Sequence, residues 1–376
     1  MSIQSSRHGK PLFVFLIVLG ITLFNMKLLS KEHRVKLTLK KTAEFKLKDD
    51  VFGRLRDGAE NSKGEVFLLD SKRYRVFRFS REGELIDSFG QKGEGPGDLK
   101  NPFSLMVFGD DDIAVECFPY RLSLFKPEGA FYRLFNLNAV DNRISRAHTI
   151  GPNRWCVVRK EDNHKLSMVV CDFTGEIQGN SLSTIPDPTF QNSGVILNYR
   201  EEATTPAFLF SHYGDFSACA RNDVYSISIL DEKGQLVRTF ALPINQQKLK
   251  QKEIEYIELR VRKSMDRISR RPGMKKVVDN AVKQILDRLP SEKVTISSLV
   301  LSKTHLFVQR IADDISQSDA SMSVDVFELM GSYLGRVRMM EWPLFSGEDA
   351  FYFIEEDNEG GTHVNKMLYE ILNGKG

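Results

Sequence analysis

The residue types that could bind a metal or attack a substrate are present, but they form no motif. The seven histidines are His8, His33, His148, His164, His212, His305 and His363. No two of them share a metal-ligand spacing such as H-x3-H. The four cysteines, Cys117, Cys156, Cys171 and Cys219, contain no C-x2-C pair, which excludes a zinc ribbon or a dithiol redox motif. Cys156 and Cys171 flank a turn near Asn163. They read either as a cross-strand disulfide or as two buried thiols. No G-x-S-x-G elbow occurs. Residues 93–97 read GEGPG, but a phosphate-cradling loop needs Gly-Lys-Ser/Thr opening a helix. Here the run continues to Pro102 and a strand, so it reads as a connecting loop. No motif asks for a cofactor. Asp70 and Glu116 are the tempting pair of carboxylates. They stand at matching places in an internal repeat, which points to a structural role, held by Arg75 and Arg121 or by backbone groups.

That repeat is the main organising feature. Residues 64–90 read GEVFLLDSKRYRVFRFSREGELIDSFG, and 110–137 read DDDIAVECFPYRLSLFKPEGAFYRLFNL. Asp70 aligns with Glu116, Arg75 with Arg121, Phe79 with Phe125, Gly83 with Gly129 and Phe89 with Phe135, each 46 residues apart. The unit apolar-x3-Gly-x5-apolar reads as a hairpin whose glycine takes the positive-φ turn position. Related units occur at Cys171/Gly175, Leu230/Gly234/Phe240 and Phe327/Gly331/Val337, and a last glycine is Gly374. A period of about 45 residues with several short strands per unit is the pattern of propeller blades. Six units predict an all-β, six-bladed propeller over residues 31–376. The last unit lacks its outer strand, and the alternating stretch 34–47 (RVKLTLKKTAEFKL) is expected to supply it and close the ring.

The run 64–102 resembles NHL-type repeats of six-bladed propellers. The resemblance lies in LLDSKRYRVFRFSREGELIDSFG and GEGPGDLKNP, through Asp70, Arg75, Val76, Phe79, Gly83, Gly90, Gly95, Gly97 and Pro102. It is good in the first blade, fair in the second and poor beyond, covering about a quarter of the chain. It implies a scaffold and not one activity. Some lyases on such propellers place three histidines on a central zinc. His148, His212, His305 and His363 fall in different blades, but no matching motif surrounds them.

Two segments depart from a plain propeller. Residues 11–24 (PLFVFLIVLGITLF) are uncharged and follow Arg7 and Lys10. Extended to Leu29, they read as a signal anchor that crosses a membrane, or as a signal peptide within residues 1–30. Residues 245–290 read as two amphipathic helices broken at Pro272-Gly273. Leu249, Ile257, Val261, Met265 and Ile268 recur at near-helical spacing, and the stripe from Ile257 to Ile268 is expected to pack on one face of the ring. This insertion carries 13 Lys/Arg and 6 Asp/Glu, hence +7. Arg260, Arg262, Lys263, Arg267, Arg270, Arg271, Lys275 and Lys276 form its candidate partner surface, suited to an acidic protein or an anionic surface.

The whole chain carries +3, and residues 1–30 account for all of it through Arg7, Lys10 and Lys27. The remaining body is formally neutral, which argues against non-specific nucleic-acid binding. The functional expectation is a membrane-anchored, periplasmic or extracellular propeller that acts as a binding or scaffold module. The alternative is a propeller enzyme, a lyase or hydrolase, with its site in the axial channel. A ring of converging polar groups at that channel would favour the second.

Overall fold

Short runs such as Val66–Asp70 (VFLLD) and Arg121–Phe125 (RLSLF) are buried along their whole length. A strand hidden on both faces must sit in a sheet with neighbours stacked on either side. That is how the chain folds in its computed structural model. The structure describes residues 35–373, apart from 49–50, 120, 137–142, 152–153, 163–164, 173, 175, 187–205, 288, 318–320 and 358–359. Six four-stranded antiparallel sheets form the six blades. Blades 1 to 5 cover 55–89, 102–136, 144–186, 208–241 and 296–339, each running from its innermost strand outwards. Blade 6 takes Phe345–Ser346, Ala350–Glu356 and Thr362–Asn373 from the end of the chain and Val35–Phe45 from its beginning. Val35 lies opposite Asn373, Leu39 opposite Tyr369 and Phe45 opposite Val364. The closing strand expected from the alternation at 34–47 therefore occupies the outer edge of the last blade.

The core is a chain of apolar layers between successive blades. Phe67, Leu69, Leu105 and Val115 fill the layer between blades 1 and 2, and Met106, Ala114, Ala147 and Trp155 the next. The turn glycines serve two needs at once. Gly83 has φ +97°, and a Cβ there would meet the Glu44 carbonyl oxygen at 2.2 Å. Gly129 has φ +82°, and its Cβ would press on the Phe89 ring at 2.7 Å. Each turn thus leans on the outer strand of the preceding blade, where only glycine fits. Gly331 lies outside the left-handed region, so its turn is built differently, and Gly175 and Gly374 fall outside the described residues.

Strand direction alternates within each blade, which assigns every connection to a face. All outer strands run the same way and end on the face where the next inner strand begins. The insertion joins the outer strand Leu236–Ala241 to the inner strand Ile296–Leu301, so it projects from that face. Val35 begins an outer strand and enters from the opposite face. Eleven strand residues separate the two faces at that edge, a span of roughly 35 Å.

The insertion forms helices α1 (Gln251–Ser269) and α2 (Lys275–Leu286). Their apolar faces meet mainly each other: Ile257 and Val261 of α1 pack on Val278 and Val282 of α2, with Met265 at the edge and Ile315 of a blade 5 connection joining from the ring. The expected packing of the stripe on the propeller face is therefore corrected, and Ile268 at its end is 42% exposed. Two short helices can satisfy one another's apolar stripes, which frees them from the ring. The hairpin is tied to blade 5 at its base. Lys293 Nζ, fully buried, donates to Glu253 Oε1 at 2.8 Å and to the carbonyls of Ala312 and Asp313 at 3.0 Å. Lys293→Ala leaves the buried Glu253 carboxylate without its counter-charge, a loss of about 3–5 kcal/mol. Amides of 251–286 are expected to lose hydrogen-exchange protection while blade amides keep theirs. Unaltered protection in both would show that the ion pair does not hold the hairpin.

Residues 11–29 lie outside the described residues. Among the described residues no helix is long and apolar enough to cross a membrane.

Candidate functional site in the axial cavity

The six innermost strands converge on the axis and enclose a cavity of about 430 Å³. Blade 1 supplies Arg56, Asp57 and Glu60, and blade 2 supplies Ser104 and Glu116. Arg146 and His148 come from blade 3, and Phe210, His212 and Tyr213 from blade 4. Ser298 of blade 5 and Trp342 of the approach to blade 6 complete the wall.

Asp57 is held by three donors: Gly58 N–H at 2.9 Å, Ser104 Oγ at 2.9 Å and Leu105 N–H at 2.9 Å. Burial nonetheless outweighs them and pushes its carboxyl up to about 6. Glu116 is 2% exposed. Its Oε1 accepts from Thr149 N–H at 2.7 Å, and its Oε2 is buried with no hydrogen-bond partner. Burial raises this carboxyl to about 8; nearby Asp57 adds to the rise, while Thr149 and Arg146 oppose it. The His148 ring stacks on Phe210 at 5.2 Å and lies 6.4 Å from His212. Its Nε2 is also buried without a partner. Burial, with His212 and Arg146 nearby, holds His148 well below the usual histidine range. His212 Nε2 stands 3.2 Å from the Val107 carbonyl and Nδ1 2.9 Å from Ser217 Oγ. A carbonyl only accepts, so Nε2 carries the proton and Nδ1 accepts from the serine. Burial depresses His212 to about 4. The Arg146 guanidinium lies 5.2 Å from the Phe210 ring centre and donates to the Phe208 carbonyl at 2.7 Å. Glu60 receives Tyr352 Oη at 2.6 Å and Lys366 Nζ at 3.1 Å.

At neutral pH Glu116 thus keeps its proton, Asp57 is ionised, and His148 and His212 are neutral. Two carboxyls with unlike protonation can bind a polar ligand or pass a proton.

The Asp70 carboxylate is held by backbone groups. It accepts from Gly53, Arg54, Lys72 and Arg73 N–H, while Arg75 donates to Ser88 Oγ instead. Arg121 donates to the carbonyls of Glu94, Gly95 and Asp98, clamping the GEGPG loop. Glu116 departs from its expected equivalence with Asp70. Asp70 lies opposite Arg75, but the residue opposite Arg121 is Cys117. The turn before Arg121 is one residue shorter than the turn before Arg75. That shift makes Glu116 the counterpart of Leu69 and turns its side chain to the other face of the sheet. A structural carboxylate in blade 1 thereby becomes a cavity carboxyl in blade 2.

Of the four histidines placed in different blades, the fold brings only His148 and His212 together. His305 contacts Thr304 and Tyr369, and His363 faces Glu355 at 3.7 Å. His8, His33 and His164 lie outside the described residues. Among the described residues no group of three or more His, Cys, Asp or Glu side chains is arranged to hold a metal ion. The suggested Cys156–Cys171 disulfide does not form. Trp155, not Cys156, lies opposite Cys171, so the two thiols point to different faces. All four cysteines are free and buried, and Cys156 Sγ instead lies 3.8 Å from Cys219 Sγ of blade 4.

On the hairpin, Arg262 pairs with Glu258 and Asp279 at 2.8 Å each, Arg270 pairs with Asp266, and Arg260 lies over Tyr256. Lys263, Arg267, Arg271, Lys275 and Lys276 are exposed around the Pro272-Gly273 tip. Asp57 and Arg146 carried no signal in the sequence. They stand in inner strands, and knowing those strands is what reveals them.

No family model and no curated protein matches this sequence. Solved structures do match in fold. One is a protein of Bacteroides fragilis described as exported, 12% identical, with a TM-score of 0.51 over 91% of this chain and 96% of that one. Another is a member of the DUF4221 family from Bacteroides vulgatus, 13% identical, with a TM-score of 0.50 over 92% of this chain and 100% of that one. At such identity the likeness is one of architecture, and it agrees with the strand pairing in making this chain a six-bladed β-propeller.

Proposed function

We propose that this chain is an extracytoplasmic propeller, held at a membrane through residues 11–29, that binds a small polar ligand in its axial cavity. One observation carries the reading: Glu116 Oε2 is buried beside Asp57 with no hydrogen-bond partner. A buried polar atom left unpaired costs about 1–3 kcal/mol, and a polar ligand or an ordered water entering the cavity would pair it. The volume falls within the roughly 300–1,000 Å³ of small-molecule sites. The NHL-type pattern of blade 1 supports a binding scaffold, and the likeness to a protein described as exported supports the location. The test is a thermal-shift screen of small polar metabolites against the native protein and Ser298→Trp, whose indole would occupy part of the cavity. Compounds that stabilise only the native protein are expected. A screen in which every stabilising compound acts equally on both proteins excludes the cavity as the site.

A second reading is favoured by a specific feature. A carboxyl raised to about 8 beside one at about 6 is suited to general acid–base work, as a lyase or hydrolase would need. Turnover of a compound found in the screen, abolished by Glu116→Gln with binding retained, would establish it.

The attachment and the hairpin are tested together. Residues 30–34 span at most about 18 Å, so the face bearing Val35 lies next to the membrane and the hairpin points away from it. That orientation favours an acidic protein as the hairpin's partner over the lipid surface. The chain is expected to resist alkaline extraction from membranes. Charge reversal at Arg267, Arg270, Arg271 and Lys275 is expected to remove cross-linked partners without releasing the protein. A freely soluble full-length chain would refute the anchor, and unchanged cross-links would leave the hairpin a solvated cap.

A further inference from the structure

The four cysteines divide among the layers between blades. Cys117 lies in the layer between blades 1 and 2, and Cys171 in the one between blades 2 and 3. Only Cys156 of blade 3 and Cys219 of blade 4 share a layer, together with Val158, Met168, Phe208 and Leu230. Their sulfurs stand 3.8 Å apart, and the two residues are 0% and 1% exposed. A disulfide bond is about 2.05 Å long, so each sulfur has about 1 Å to travel. Rotation about each Cα–Cβ bond carries Sγ over a distance of that order. The pair also backs onto the axial cavity. Cys156 lies opposite His148 on the neighbouring strand, and Cys219 opposite Phe210. Residues opposed in an antiparallel ladder project from the same face of the sheet. The two thiols therefore stand behind the His148–Phe210 stack, whose ring centres are 5.2 Å apart. The cysteines are 63 positions apart in sequence, so a bond between them would tie two separately formed blades.

We propose that Cys156 and Cys219 are an oxidation site, joined by a disulfide that staples blade 3 to blade 4 behind the cavity wall. The oxidant is itself a disulfide, either glutathione disulfide or that of a thiol–disulfide oxidoreductase. One cysteine thiolate attacks it, forms a mixed disulfide and releases one thiol. The second thiolate then displaces the other thiol and completes the Cys156–Cys219 bond. The two cysteines lose two electrons and two protons, and the oxidant gains both as two thiols. The exchange takes place before the blades close. Burial, with Cys219 alongside, raises the Cys156 thiol well above its usual range, and a layer this fully buried has no room for the oxidant. Once the layer has closed, the same burial shields the bond from reductants. A chain that folds outside the cytoplasm, as proposed above, meets such an oxidant. The pairing itself rests on the blade geometry and not on any ligand of the cavity.

The full chain is synthesised in a cell-free system with detergent, with a glutathione redox buffer in one preparation and dithiothreitol in the other. Free thiols are alkylated in denaturant, and the peptides are mapped by mass spectrometry. With glutathione, the expected product is a cross-linked peptide pair holding Cys156 and Cys219, two hydrogens lighter than its separate halves. Cys117 and Cys171 are expected to be alkylated. A sample held in urea with the same buffer is expected to lose this preference. The cross-linked chain is expected to melt about 5–10 °C above the reduced one, a difference absent from Cys156→Ala and Cys219→Ala. Dithiothreitol is expected to cleave the bond at least tenfold more slowly in the folded chain than in urea. The peptide map requires no variant to fold. Four alkylated thiols after synthesis with glutathione would overturn the proposal. So would a bond joining any other pair, or the same bond forming as readily in urea. None of these results touches the ligand screen, so the cavity reading is decided separately.

Discussion

Removal of residues 35–45 is expected to abolish the cooperative melting transition of the whole propeller. The strand contributes ten paired positions to blade 6, from Val35–Asn373 to Phe45–Val364. Phe45 also reaches the next blade: its ring lies 5.7 Å from Phe79 of blade 1 and 5.8 Å from Tyr352 of blade 6. Deletion would therefore expose the edge of Thr362–Asn373, strip the layer around Phe351 and Tyr369, and unseat the contact between the first and last blades. Each blade ends in an outer edge strand, and deletion here would hand that place to Thr362–Asn373, which relies on Val35–Phe45 for its pairing. Domains of this kind are stable by only about 5–15 kcal/mol, so losing a four-stranded blade's outer strand and two apolar layers exceeds what the fold can absorb. Differential scanning calorimetry reads the result. A synthetic peptide covering 31–48, added to the truncated chain, is expected to restore the transition. A truncated protein that melts like the parent would show that the ring closes without this strand.

Glu116→Gln is expected to make stability less dependent on pH. The Glu116 carboxyl is raised from its unfolded value of 4.5 to about 8 in the folded chain. Below pH 4.5 it is protonated in both states and costs nothing. Between 4.5 and 8 the unfolded chain releases this proton and the folded chain keeps it, so native stability falls as pH rises. Above about 8 both states are ionised and the loss is complete, on the order of 3–5 kcal/mol. Glutamine keeps an oxygen for Thr149 N–H and carries no titrating proton. The variant is therefore expected to match the native protein near pH 4.5 and to exceed it increasingly up to pH 8. Urea unfolding at four or five pH values measures this. Parallel curves for the two proteins would mean that Glu116 is ionised in the native cavity.

The architecture could be read from the chain because it is written in local chemistry repeated many times. Apolar strands, a positive-φ glycine and a 46-residue period each depend on neighbours in sequence, and repetition makes the pattern visible through individual failures such as Gly331. The closing strand at 35–45, the inter-blade GEGPG loop and the two-helix insertion were legible for the same reason. The site was not, because it depends on quantities that repetition hides. A turn shortened by one residue before Arg121 turns Glu116 from a presumed copy of Asp70 into a cavity acid, and an alignment by the period passes over that step. The same single-residue register separates Cys156 from Cys171 and brings Cys156 beside Cys219. Asp57, Arg146, His148 and His212 lie far apart in sequence and meet only because six inner strands share one axis. Their altered proton affinities arise from burial, which no local pattern encodes. The sequence by itself determined the blades and their order. The tertiary structure decided which side chains face the axis and which protons they keep, because both follow from packing across blades rather than along the chain.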